Sequence, residues 1–152
     1  MITLRALIFI FFISLLLSCK NENKNIDITG TWQLVSAVTI KEGVITNNFN
    51  SANEKVIKII NNDHFAFFRH DFNKGKDSAT ATFVSGAGSY TLTGNKYEEY
   101  LEYCNYRDWE KNSFEFNLEI KGDSLIQTGF EEVESLGISH EIVEKFIRIE
   151  KK

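Results

Sequence analysis

Apolar and polar residues alternate along most of the chain after residue 28, which is the period-2 pattern of β-strands that bury one face. The clearest example is Phe114–Lys121, in which Phe, Phe, Leu and Ile alternate with Glu, Asn, Glu and Lys. No segment of this region has the spacing of a long amphipathic helix. The pattern predicts eight strands: Thr29–Ile40, Glu54–Ile60, His64–Asp71, Thr80–Thr93, Lys96–Cys104, Phe114–Lys121, Ser124–Phe130 and Glu141–Ile149.

Short polar turns connect most of these strands, including Gly94–Asn95 and Gly122–Asp123. Consecutive strands joined in this way run antiparallel. Closing such a meander removes its exposed edges, and eight strands leave an interior for side chains or for one small ligand. We therefore expect an all-β domain over residues 28–150, an eight-stranded antiparallel up-and-down barrel. The longest loop is Lys41–Asn53, and Glu131–His140 is expected to hold a helical turn.

The first 18 residues have the composition of a secretory leader. Arg5 precedes the apolar segment Ala6–Leu17, and the small residue Ser18 precedes Cys19. Twelve residues are too few to cross a bilayer, which needs about 20. An ordinary secretory leader with an incidental cysteine is the simpler alternative.

Leu16–Cys19 resembles the lipobox of bacterial lipoproteins. The resemblance implies that residues 1–18 are a signal peptide and that Cys19 carries the acyl anchor. Because Lys20, rather than an aspartate, follows the cysteine, the resemblance also implies the outer membrane, at its periplasmic face or at the cell surface. The polar residues up to 27 are expected to form a flexible tether.

Charge narrows the choice of partners. Loss of residues 1–18 removes Arg5, so 16 basic residues remain against 21 acidic ones and the net charge is −5. This balance argues against nucleic acid or an anionic lipid surface as an electrostatic partner, so the acyl chains would supply the membrane contact. With Cys19 acylated, Cys104 has no disulfide partner, and the domain depends on its aromatic-rich core. We expect a monomer.

Gly30-Thr31-Trp32, at the start of the first strand, is similar to the G-x-W signature of the lipocalins and the wider calycin group. In those families an arginine on the last strand packs over the tryptophan, and Arg148 is the matching residue. The resemblance implies a lipocalin-like barrel closed at one end by Gly30, Trp32 and Arg148. Alternatively, Trp32 is an ordinary core aromatic and Arg148 a surface charge.

If Trp32 points inward, strand parity places several polar and aromatic side chains inside the barrel. Buried charges are costly unless they pair with one another or with a ligand, and a few polar groups among apolar walls are typical of small-molecule sites. A filled core with a structural charge network, or a β-bulge that turns the charges outward, would explain them equally well. The candidate ligand-binding residues are Arg69, Tyr97, Glu99, Tyr103, Phe116 and Glu144.

Neither catalysis nor a metal or other cofactor is predicted. His64 and His70 would lie about 20 Å apart along one strand, and no motif places a base beside Cys104. The predicted function is binding of a small apolar or amphiphilic molecule by a lipid-anchored envelope protein. The alternative is a non-catalytic protein-binding module, an inhibitor or an envelope-assembly accessory, that acts through Lys41–Asn53 and the barrel rim. A carrier needs a cavity of about 300 Å³ or more, whereas such a module can be filled solid.

Overall fold

The computed structural model of this protein describes residues 25–149. These residues form an all-β structure whose strands are joined mostly by short turns, with two short 3-10 turns at Arg107–Trp109 and Glu134–Leu136. The strands are β1 (Gly30–Lys41), β2 (Val44–Asn47), β3 (Glu54–Ile60), β4 (His64–Asp71), β5 (Phe83–Thr93), β6 (Lys96–Cys104), β7 (Ser113–Lys121), β8 (Ser124–Val133) and β9 (Ile138–Arg148).

The sheet closes on itself. Its antiparallel order is β2-β1-β3-β4-β5-β6-β7-β8-β9, and β1 also pairs with β9 from Trp32↔Arg148 to Ile40↔Glu141. The first residues of β1 pair with β3, while its last residues pair with the short strand β2. Strands β1 and β3–β9 therefore form the predicted eight-stranded antiparallel barrel, and the β1–β2 hairpin extends one side of it.

Most strand positions were predicted from the alternating pattern. Strands β3, β4 and β6 have the predicted bounds. The loop Lys41–Asn53 contains the additional strand β2, and the expected helical turn within 131–140 is reduced to Glu134–Leu136. Strands β8 and β9 extend further toward this turn than predicted, because their pairing continues to Val133↔Ile138.

Two β-bulges change which side chains face the interior. The β1–β9 register shifts between Leu34 and Ser36, so Ala37 is buried and Ser36 is exposed. Strict alternation from Trp32 would place Ser36 inside the barrel, but this alternation ends at Leu34. One extra residue in a strand moves every following side chain to the opposite face.

The second bulge lies where β6 pairs with β5, between Ala87 and Gly88. Beyond it the side chain of Cys104 is buried, while Tyr103 lies on the outer face and is 67% exposed. The prediction that Tyr103 lines the interior is wrong, because strict alternation from Tyr97 does not continue past the bulge.

The predicted signal peptide (residues 1–18), the lipid-attachment residue Cys19 and residues 19–24 of the predicted tether lie outside the described residues, as does Glu150. The last residues of that tether contact the barrel: Ile26 N donates to Gly94 O at 3.3 Å, and Gly94 N donates to Asn25 Oδ1 at 2.7 Å. Within residues 25–149, no helix is long and apolar enough to cross a membrane.

Candidate functional site

One end of the barrel is closed by the predicted pairing of Trp32 with Arg148. Trp32 is fully buried, and its Nε1 donates to Ile28 O at 2.9 Å. The Arg148 guanidinium lies 4.1 Å from the centre of the indole ring, and its Nη1 donates to Thr29 O at 2.5 Å. A cation over an indole face is favourable, and here it also covers the end of the core.

Gly30 makes this arrangement possible. Its φ of +140° is a conformation that side-chain-bearing residues rarely adopt. A Cβ at this position would also lie 2.5 Å from Arg148 Nη1. The glycine of the G-x-W pattern therefore leaves space for the guanidinium.

A cavity of about 380 Å³ occupies the opposite half of the barrel. Most of its walls are apolar, and the exposed residues Asn48 and Tyr106 lie at its rim. Trp109 and Phe67 provide aromatic surface. The remaining lining residues are Leu34, Ala37, Val38, Thr39, Val56, Arg69, Val84, Leu101, Cys104, Glu131, His140, Ile142 and Glu144.

A smaller cavity of about 130 Å³ lies beside the first and shares Val56, Phe67, Glu131 and Glu144 with it. Its other lining residues include a buried polar cluster and two aromatic side chains. These residues are Lys58, Glu99, Phe116, Gln127 and Phe146.

Lys58 is the centre of the polar cluster. Only 4% of it is exposed, and its Nζ forms an ion pair with Glu99 and donates to Gln127 Oε1 at 2.9 Å. The same ammonium lies 5.2 Å from the centre of the Tyr97 ring and 5.4 Å from that of Phe65. Buried charges need such partners, so the charge of Glu99 is neutralised by the protein itself.

Arg69 is also paired, at the rim of the larger cavity. Its Nε and Nη2 donate to the two carboxylate oxygens of Glu54, at 2.6 and 2.8 Å, and Nη2 donates in addition to Asn48 O at 2.8 Å. This bidentate geometry is the strong form of an arginine–carboxylate contact. Arg69 thereby holds β4 against β3 and the loop that follows β2.

Glu131 and Glu144 place carboxyl groups in both cavities. Burial raises the pKa of Glu131 to about 7; the nearby charge of Glu99 adds to the rise, and Lys58 opposes it. Burial likewise raises the pKa of Glu144 to about 7, against the opposing effect of Lys58. His140 Nε2 lies 3.1 Å from Glu131 Oε2. Among residues 25–149, no hydrogen bond or ion pair engages the Glu144 carboxyl group.

Tyr97 belongs to the core rather than to the cavity walls. It is 1% exposed, and its ring packs against Tyr90 with the ring centres 5.0 Å apart. Its hydroxyl has no hydrogen-bond partner among the described residues. Burial, together with the charge of Glu99, raises the pKa of this hydroxyl well above its usual value, so it stays protonated.

Cys104 is the one thiol among the residues that line the larger cavity. Burial raises the pKa of this thiol, which disfavours the nucleophilic thiolate. In the described part of the chain, no group of three or more His, Cys, Asp or Glu residues is placed to hold a metal ion. The arrangement of apolar walls and a few polar groups is typical of a small-molecule site.

Of the six residues predicted to bind ligand, Arg69 and Glu144 line the larger cavity, and Glu99 and Phe116 line the smaller one. Tyr97 is in the core and Tyr103 is outside. Sequence reasoning missed Lys58, Gln127, Glu131 and His140. Gln127 alternates with the buried Leu125, which is a usable signal, whereas Glu131 and His140 fell in a segment expected to form a helical turn.

Known proteins add no assignment to this geometry. No model of a known protein family matches the chain, and no curated protein matches it.

Proposed function

We propose that this protein binds a small, partly apolar molecule inside its barrel, without catalysis. The observation that carries the proposal is the cavity of about 380 Å³ with mostly apolar walls. It exceeds the size of about 300 Å³ at which small-molecule sites begin. A dry cavity of about 150 Å³ takes up benzene, so this one has room for about 15 non-hydrogen atoms.

The rigidity of the scaffold supports the same conclusion. The cavity walls come from strands of a closed sheet, held between the Trp32–Arg148 pair at one end and the Arg69–Glu54 pair at the other. A site that is already formed loses little conformational freedom when a ligand enters. A lipocalin-like assignment is part of the proposal, and its support is the closed barrel together with Gly30, Trp32 and Arg148.

Uptake of 6-dimethylamino-2-naphthonitrile, a polarity-sensitive fluorescent probe that matches the size of the cavity, tests the binding proposal. Ala37 lines the cavity, so Ala37→Phe puts a phenyl ring into it. This ring takes the room of about six ligand atoms and should abolish the rise in fluorescence from a probe that needs the whole cavity. Ala66 lies on the outer face of β4, and Ala66→Phe is the matched control that should leave probe uptake unchanged. Equal uptake by both variants would show that the probe binds elsewhere and would contradict the proposal.

We further propose that the protein is anchored in the bacterial envelope, at the outer membrane, through acyl chains on Cys19. The support is the leader composition and the lipobox-like Leu16–Cys19. Mass spectrometry of the N-terminal peptide should find Cys19 as its first residue, carrying acyl masses that a Cys19→Ser variant lacks. An unmodified N-terminal peptide from membrane-associated protein would contradict the anchor.

A second candidate, a protein-binding module, is favoured by the β1–β2 hairpin. Val44 and Ile45 of β2 are 65% and 67% exposed, and in the described part of the chain β2 pairs only with β1. An unpaired strand edge with apolar side chains can accept another chain. If this candidate is right, a polypeptide copurifies with the protein and is lost from a Val44→Ser, Ile45→Ser double variant but not from Ala37→Phe.

A further inference from the structure

The positive and negative side chains that line the two cavities do not balance. Both cationic side chains that line the two cavities have protein partners, since Lys58 pairs with Glu99 and Arg69 pairs with Glu54. The carboxyl groups of Glu131 and Glu144 remain, and His140 contacts only the first of them. When both are ionised, the cavity carries negative charge that the surrounding barrel does not neutralise.

This excess is unfavourable for the empty barrel. Desolvation penalises the charged forms of both groups, and the charge of Glu131 raises the cost of ionising Glu144 further. Gln127, the register partner of Glu144, is a neutral amide and relieves neither charge. The site therefore lacks one positive charge, at the point where the apolar cavity meets the buried polar cluster.

We propose that the ligand is an amphiphilic amine, whose ammonium group binds between Glu131 and Glu144 and whose apolar part fills the larger cavity. This inference rests on the proposed function and specifies its ligand class. An ammonium offers three donors, carboxylates accept them, and such charge-assisted hydrogen bonds are among the strongest in proteins. Fatty acids and other carboxylates are disfavoured, because the cations that could receive them are already paired.

The walls suit both parts of such a molecule. Leu34, Val56 and Ile142 provide aliphatic surface in the larger cavity. Phe67 and Trp109 add aromatic faces, which also attract cations. An apolar tail of about 15 non-hydrogen atoms or fewer would fit the volume, by comparison with cavities that hold benzene.

Binding should depend on pH in a defined direction. The titratable and charged groups that face Glu131 and Glu144 are Lys58 on β3, Arg69 on β4, Glu99 on β6 and His140 on β9. Since the two carboxyl groups have pKa values of about 7, they are ionised at pH 8 and largely protonated at pH 5.5. The affinity for an amine should therefore fall at least about tenfold between pH 8 and pH 5.5.

The test compares three probes that share one apolar part: 6-phenylhexylamine, 6-phenylhexanol and 6-phenylhexanoic acid. The protein purified from its own cells is held in phosphatidylcholine nanodiscs that accommodate its membrane anchor, and empty nanodiscs give the blank. Isothermal titration calorimetry at pH 8 measures the dissociation constants. The amine should bind at least about ten times as tightly as the alcohol, and the acid should bind most weakly.

Two isosteric variants locate the ammonium. Glu144→Gln and Glu131→Gln should each weaken amine binding about tenfold and leave alcohol binding within about twofold. Glu115→Gln, an equal change of charge on the exposed face of β7, is the control and should change neither. The enthalpy of amine binding near pH 7 should also differ between two buffers of different ionisation enthalpy, because a proton is released when the amine binds.

The outcomes separate this inference from the proposed function. If the alcohol binds as tightly as the amine, or if the acid binds best, the amine inference is overturned while the binding function stands. If the Gln variants keep full affinity for the amine, the inference is likewise overturned. If none of the three probes gives heat beyond the blank, the proposed function fails and the inference fails with it.

Discussion

At Gly30, adding a single methyl group would conflict with two features of the structure. The backbone has a φ of +140°, and the new Cβ would lie 2.5 Å from Arg148 Nη1. Strained backbone costs about 1–3 kcal/mol, and displacing the guanidinium from Trp32 forfeits a further 0.5–2 kcal/mol or so. We expect Gly30→Ala to lower the free energy of unfolding by about 2 kcal/mol or more in urea titration.

A double-mutant cycle separates these two contributions. In an Arg148→Ala background the clash is absent, so Gly30→Ala should cost about 1 kcal/mol less than in the wild type. Strictly additive losses would mean that Gly30 and Arg148 do not interact, contrary to the contact seen in the structure.

Glu144 should reduce the stability of the empty protein at high pH. Its pKa of about 7 in the folded state is above the value of 4.5 for a free glutamate, so the folded state holds the proton more tightly. The free energy of unfolding that this group contributes is therefore greatest below pH 4.5 and falls as the pH rises to about 7.

Replacing the carboxyl group by an amide tests this sign. Glu144→Gln should raise the free energy of unfolding by about 1–3 kcal/mol at pH 8 and change it little at pH 4.5. Calorimetric unfolding at the two pH values, with Glu115→Gln as the exposed control, is the measurement. A variant that is destabilised at pH 8 would indicate that Glu144 has a stabilising partner in the empty protein.

Several individual residues of the candidate site could be predicted from the sequence. Gly30, Trp32 and Arg148 follow a recognisable pattern, and Glu144 falls on the inward side of a strand with simple alternation. Lys58 could not be placed from the sequence, because both faces of Glu54–Ile60 carry aliphatic residues and neither is marked as outward. Its pairing with Glu99, 41 residues away, depends on how the barrel closes.

Among the elements, the β5–β6 pair depends most on a glycine. A Cβ at Gly88 would overlap the carbonyl oxygen of Tyr100, so only glycine allows β6 to approach this closely at the bulge. Gly88→Ala should lower the free energy of unfolding by about 2 kcal/mol or more. Thr91→Ala, on an exposed position of the same strand, should cost about 1 kcal/mol or less.

Urea titration of both variants provides the comparison. If Gly88→Ala were no more destabilising than Thr91→Ala, the close approach of the two strands would be in error. The assignment of Tyr103 to the outer face and of Cys104 to the cavity would then lose its support.

The positions of the strands were easier to predict than their parity, that is, which side chains of each strand face the interior. The position of a strand depends on local sequence, namely its own composition and the turn residues that flank it. Strands β3, β4 and β6 were therefore predicted correctly. Parity beyond a bulge is set by the partner strand, because the extra residue is accommodated only where Gly88 permits it. Tyr103 was therefore assigned to the wrong face, although the segment that contains it was correctly predicted as a strand.

For the whole molecule, closure of the sheet explains both how the core is covered and why a cavity remains inside the barrel. Pairing of β1 with β9 leaves the eight barrel strands without a free edge, and the Trp32–Arg148 pair covers one end of the core. The other half of the interior is left partly unfilled. A ligand present at about 100 times its dissociation constant would add about 2.7 kcal/mol to the stability of the barrel.

The all-β fold could be predicted because alternation is a local property of the sequence. The cavity could not, since its volume depends on which side chains meet across the barrel. Ala37, brought inward by the bulge in β1, contributes space that the unshifted pattern would not have given.

Native mass spectrometry of the protein purified from its own cells tests the central claim most directly. The claim predicts a bound small molecule in the wild type and in Ala66→Phe, and none in Ala37→Phe, whose side chain occupies the cavity. A small molecule that persists in Ala37→Phe, or a wild-type protein that carries none, would contradict the claim that this barrel holds a ligand.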